Sequence, residues 1–205
     1  MSHSSAIKER IIESAKEKFL RLGFSRVTMD ELCQELGISK KTLYLYFPSK
    51  QELLEAAVND LMSEIELGVR ELIMGSGLDF QEKLKRLFTF IGVRIARISP
   101  GFIRDLQKNA PELWKRIDRF RREKVLINFD RLLEEGIKKG VFRKDLDREL
   151  LMMMYISLVQ NLINPEVLSQ VPFSAGQVFD AIIKVVFEGI QTEKGKVRYK
   201  AITRR

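Results

Sequence analysis

Between Ser39 and Lys50 the sequence sets Lys40, Lys41 and Lys50 among Thr42, Tyr44 and Tyr46, and no acid occurs from Gly37 to Lys50. Lysine and hydroxyl side chains of this kind donate to phosphate oxygens, and lysine also reaches guanine O6 and N7 in the major groove. Two of the lysines stand where helix electrostatics disfavours them. Ser39 has the type and position of a helix N-cap, so Lys40 and Lys41 fall in the first turn, at the positive end of the helix dipole. A charge at the wrong end costs about 0.3 to 1 kcal/mol, and Lys50 repeats the arrangement behind Ser49. A polyanion meeting this edge offsets that cost. The chemistry indicated is phosphate and base recognition.

These side chains need short helices to aim them. Nearly every segment reads at helical spacing, and the fold class is all-α. A first helix is predicted from about Ala6 to Leu22, with Ile11, Ala15, Phe19 and Leu22 on one stripe and Gly23 to stop it. Thr28 and Glu31 have capping-box spacing, opening a second helix with Met29, Leu32, Cys33 and Leu36. Gly37 ends that helix. Ser39 then opens a third of about seven residues, and Ser49 with Glu52 opens a long fourth. Two short helices joined by Gly37-Ile38-Ser39 and braced by the first form a helix-turn-helix, whose second helix enters the major groove of DNA. Thr28 is placed to meet the DNA backbone from the first element of the motif. Tyr44 and Tyr46 differ by two positions, so at least one hydroxyl must point outward.

Beyond Gly75-Ser76-Gly77, helices are predicted near 78–97, 101–108, 111–139, 146–163 and 174–191, with Pro165 to Pro172 as a joining loop. The domains expected are a head over 1–48, a helical body over 49–193 and a basic, disordered tail over 194–205. The net charge is +8, from 36 Lys and Arg against 28 Asp and Glu. The tail holds six cations and no acid, so the remainder is nearly neutral and the placement of charge, not its total, points to DNA.

One cysteine and one histidine exclude a disulfide within the chain, Ser-His-Asp or Cys-His catalysis and a His/Cys metal cage. Cys33 falls on a buried stripe, and His3 lies near the N-terminus. The longest apolar stretch, Leu150 to Val159, is too short for a membrane span, so a cytoplasmic protein is expected. No catalytic residue, metal or cofactor is indicated.

From Lys8 to Val58 the residues carry a resemblance. Ala15 and Phe19, the Gly23 stop, Thr28, Gly37, Thr42-Leu43-Tyr44, Phe47 and Ser49-Lys50 resemble the DNA-binding head of the TetR family of transcriptional regulators. The resemblance covers the first 50 to 55 residues. It implies a homodimeric repressor or activator whose head binds a near-palindromic operator and whose body binds a small molecule that weakens DNA binding, with repression the reading favoured. The DNA-binding set is then Thr28, Ser39, Lys40, Lys41, Thr42, Tyr44, Tyr46 and Lys50. Lys41 stands where many relatives carry a small residue, so the operator does not transfer from any of them.

In that family the last two helices of each subunit build a four-helix dimer interface. Both are apolar most of the way round here, which agrees. The interface candidates are Leu151, Met154 and Leu158 on one helix, and Val178, Phe179, Ile182, Val185 and Val186 on the other. The candidates for an apolar effector cavity are Phe88, Phe90, Ile91, Phe102, Trp114, Phe120, Met152 and Tyr155, with Arg94 or Asn161 as a polar anchor. The competing reading is a helical small-molecule or lipid carrier with a non-functional head. An enzyme is disfavoured by the lack of usable His and Cys.

Overall fold

The computed structural model describes residues 3–75, 77–168 and 170–193, and over these the chain is all-α. The basic tail, 194–205, lies outside the described residues. The helices are α1 (His3–Leu22), α2 (Met29–Leu36), α3 (Lys40–Tyr46), α4 (Lys50–Met74), α5 (Phe80–Ala96), α6 (Pro100–Asn109), α7 (Pro111–Lys138), α8 (Arg148–Leu162), α9 (Pro165–Leu168) and α10 (Ala175–Ile190). Helix α9 falls where the sequence suggested only a loop. Four residues are too few to show a period, and a proline at the first helical position suits a short turn of helix.

The chain divides into two compact units. The first runs through Ile65 and takes in Arg97–Ile117; the second holds Glu66–Ala96 and the chain from Asp118 onward. The boundary expected at 48 therefore falls inside the first unit. Phe102 and Leu106 of α6, with Ala110 and Leu113, share one core with Phe19 of α1, Leu32 of α2, Leu43 of α3 and Leu54 of α4. A helix some fifty residues downstream joins this core through its apolar face. That partnership leaves no mark in local spacing. Leu22, expected on the stripe of Ile11, Ala15 and Phe19, is instead 42% exposed as the last residue of α1.

Within the first unit the short helices are held by their ends. The Glu31 amide donates to Thr28 Oγ1 at 3.2 Å while the Thr28 amide donates to the Glu31 carboxylate at 2.7 Å, closing the capping box. Gly37 adopts φ 65°, the left-handed value that ends α2, and the Ile38 amide donates back to the Cys33 carbonyl at 3.1 Å. Glu35 of α2 accepts from Ser14 at 3.0 Å and pairs with Lys18 at 2.6 Å, tying α2 to α1. Lys16 lies buried under an acid cluster, 2.6 Å from Glu13, 2.8 Å from Asp60 and 3.3 Å from Glu64. Burial disfavours its charge, yet bonds to Asp60 and Glu13 raise its pKa above the usual 10.5.

In the second unit α10 packs chiefly against α5 and α8. Phe187 of α10 meets the rings of Phe88 at 4.4 Å, Phe129 at 5.5 Å and Phe142 at 5.8 Å, and Tyr155 stacks on Phe129 at 4.4 Å. Lys83 is buried with its ammonium 2.9 Å from Glu135 and 3.0 Å from the Ile73 carbonyl, joining α5, α7 and the end of α4. Among the described residues, no helix is long and apolar enough to cross a membrane.

Candidate nucleic-acid interface

Helix α3 turns one side chain inward and several outward. Leu43 is fully buried, whereas Lys40, Lys41, Tyr44 and Leu45 are exposed. The amide of Thr42 donates to Ser39 Oγ at 3.0 Å, and the two hydroxyls lie 2.8 Å apart. Ser39 is thus the N-cap, and half-buried Thr42 is drawn into the same cap. At least one tyrosine was expected to point outward; Tyr44 does, at 46% exposure, while Tyr46 is partly buried and packs on the core of the unit.

The lysines occupy different surroundings. Lys41 carries no ion pair among the described residues, but Lys40 pairs with Asp30 of α2 at 2.7 Å. That hydrogen bond and the Asp30 charge raise the Lys40 pKa. The acid-free stretch of sequence therefore has an acid beside it in space, contributed from seven residues upstream of Gly37. Lys50 is partly buried, its ammonium 4.3 Å from the centroid of the Phe24 ring. Burial lowers its pKa, opposed by the charges of Asp105 and Glu31. Lys50 opens α4 behind Ser49, whose hydroxyl accepts from the Glu52 amide at 3.1 Å. Thr28 is exposed at the start of α2.

The loop before α2 is fastened to α6. Asp105 accepts from the Ser25 amide at 2.8 Å and from the Ser25 hydroxyl at 2.9 Å, and Asn109 donates to the same hydroxyl at 3.1 Å. This brace on the helix-turn-helix was not legible from spacing.

The effector candidates divide between the units. Phe102 and partly buried Trp114 belong to the core of the first unit, so they are structural there. Phe88, Ile91, Arg94, Phe120, Met152 and Tyr155 lie in the second. Tyr155 is buried in the aromatic cluster, and Arg94 lies on the Phe90 ring at 3.4 Å. Arg121, which spacing did not single out, donates to the Val159 carbonyl at 3.2 Å, and burial lowers its pKa.

The interface candidates divide by burial. Phe179, Ile182 and Val186 are buried within their own unit, so they form core. Leu151, Leu158 and Val178 are half-buried, while Met154 and Val185 are exposed. Leu150 and Met153 are exposed beside Met154 and were not among the candidates. A helix apolar on most sides gives no indication of which side its own bundle covers.

Residues 11–57 match the family model described as bacterial regulatory proteins, tetR family. An uncharacterized HTH-type transcriptional regulator of Bacillus subtilis, YvaF, is 28% identical over 186 residues, covering 91% of this chain and 96% of its own. Among solved structures, a TetR-family transcriptional regulator from Agrobacterium tumefaciens has a TM-score of 0.69 at 18% identity, covering 93% of this chain and 100% of that one. The fatty acid degradation regulator FadR from Bacillus halodurans has a TM-score of 0.61 at 22% identity, covering 89% and 95%. At these identities the structural likenesses speak for the fold.

Proposed function

Because this chain belongs to the TetR family of transcriptional regulators and is a DNA-binding, ligand-responsive regulator, we propose that its DNA contacts come from the outer face of α3 and its flanks. Lys41 and Tyr44 face the groove or its phosphates, Lys40 joins them by leaving Asp30, and Thr28 and Lys50 reach phosphates on either side. Ser39 and Thr42 hold the cap that fixes the start of α3. Tyr46, turned toward the core, contributes through packing. The observation that carries this reading is the pairing of a fully buried Leu43 with an exposed, cationic opposite face on one seven-residue helix.

The protein acts as a homodimer: repeating one short helix per chain about a twofold axis gives it sequence specificity. Half-sites then lie on one face of the duplex, about 34 Å apart or a multiple of that. The partner-facing surface is the exposed apolar set Leu150, Met153 and Met154 of α8 with Val185 of α10. The effector is apolar and is held in the second unit, where Phe88, Ile91, Phe120, Met152 and Tyr155 supply apolar surface and Arg94 is the polar anchor.

Selecting bound sequences from random duplex DNA tests the reading. A near-palindromic consensus, lost when Lys41 is replaced by alanine, is the outcome expected; recovery of no enriched sequence overturns it.

A further inference from the structure

Leu45 is the most exposed large apolar side chain among the described residues, at 78%. Single exposed leucines are ordinary on protein surfaces. This one stands on α3, two positions from fully buried Leu43 and so about 200° around the helix from the side that holds α3 to its core. It is four residues from Lys41 and next to Tyr44, both exposed, so Lys41 and Leu45 share one outward stripe. A stripe with a cation at one end and a branched apolar group at the other matches the major groove, where phosphates and guanine edges meet lysine and the thymine C5-methyl is the apolar feature.

We infer that Leu45 is a specificity-determining residue that reads a thymine methyl group in each half-site. The inference rests on the proposal that α3 enters the major groove. Thr42, the other side chain on α3 with a methyl suited to thymine, is half-buried and engaged with Ser39 through its hydroxyl. Leu45 has no such engagement in the fold: it lies on neither the capping side nor the core side of the helix. Its burial against a methyl removes apolar surface from water on both partners, worth about fourfold in affinity for each methyl covered.

The test uses the full chain and a duplex that it selects from random DNA. Each thymine of the selected duplex is replaced in turn by deoxyuridine, which keeps every hydrogen-bonding group and removes only the methyl. The wild-type protein is expected to lose about fourfold in affinity at one thymine position per half-site. Leu45→Ala is expected to bind the thymine and uracil duplexes alike, so that the double-mutant comparison assigns the methyl to this side chain. Because Leu45 is exposed, its replacement should leave the melting temperature unchanged, and that measurement separates lost contact from lost fold. If no uracil substitution weakens binding, or if Leu45→Ala keeps the full methyl dependence, the inference is overturned while DNA binding by α3 stands. If the protein selects no duplex at all, the inference falls together with the reading on which it rests.

Discussion

The Lys40 ammonium on α3 lies 2.7 Å from the Asp30 carboxylate on α2. Both groups are exposed, so the pair adds little to stability. Its consequence is for binding. A phosphate approaching Lys40 competes with a carboxylate already in place, and the acid lowers the positive potential along the start of α3. Asp30→Asn is expected to tighten binding to duplex DNA about fivefold at low salt, from Coulomb's law at contact in water. The plot of log affinity against log salt should steepen by about one unit as Lys40 becomes free to displace a counterion. Fluorescence anisotropy over a salt series measures both quantities, and an unchanged slope would show that Lys40 meets no phosphate.

Lys83 and Glu135 offer a test of the second unit. Replacing Lys83 with methionine strips a donor from the buried Ile73 carbonyl and from Glu135. Such a loss costs roughly 1 to 3 kcal/mol, or about 2 to 12 °C in melting temperature for a chain of this size. Burial by itself raises the Glu135 pKa, but hydrogen bonds from Lys139 and Lys83 outweigh it and leave the pKa below the usual 4.5. A depressed carboxylate contributes its stability in full above the unfolded pKa and loses it as pH falls through the folded pKa. The gap in melting temperature between wild type and Lys83→Met should therefore be constant near neutrality and narrow below about pH 4.5. A gap that persists unchanged in acid would remove Glu135 from the explanation.

Val185 and Phe179 sit six positions apart on α10 and separate two kinds of failure. Val185 is 72% exposed and Phe179 is 2% exposed. Val185→Glu is expected to leave the melting transition of the isolated chain intact and to convert dimers into monomers with weakened operator binding. Phe179→Glu buries a charge in the core and should unfold the second unit, as Phe→Ala changes at such sites already cost about 3 to 5 kcal/mol. Light scattering distinguishes the outcomes, and Val185→Glu dimers of wild-type mass would refute the assigned surface.

Local chemistry made the head readable. Thr28 with Glu31, Gly37 and Ser39 each satisfy or end a helix through groups within a few residues, so type and spacing suffice to place α2 and α3. What needed the folded chain was every relationship at long range. Phe102 reads as apolar at helical spacing, but nothing nearby reveals that its core is that of the first unit. Phe179 and Val185 look equivalent as letters; only the packing of α5 and α8 against α10 makes one core and leaves the other outside. Leu45 read as one more apolar residue in an apolar helix, and Asp30 as an ordinary residue of the first turn of α2.

The central claim is that the cationic face of α3 binds duplex DNA. Its most direct measurement compares wild type with the Lys40→Ala, Lys41→Ala double variant on the duplex the protein selects, across a salt series, with circular dichroism confirming an unchanged fold. Weakened binding with a salt dependence shallower by about one unit, the share of Lys41, since Asp30 already offsets Lys40 in the wild type, is the result expected. Equal affinity and equal slope in the two proteins would contradict it.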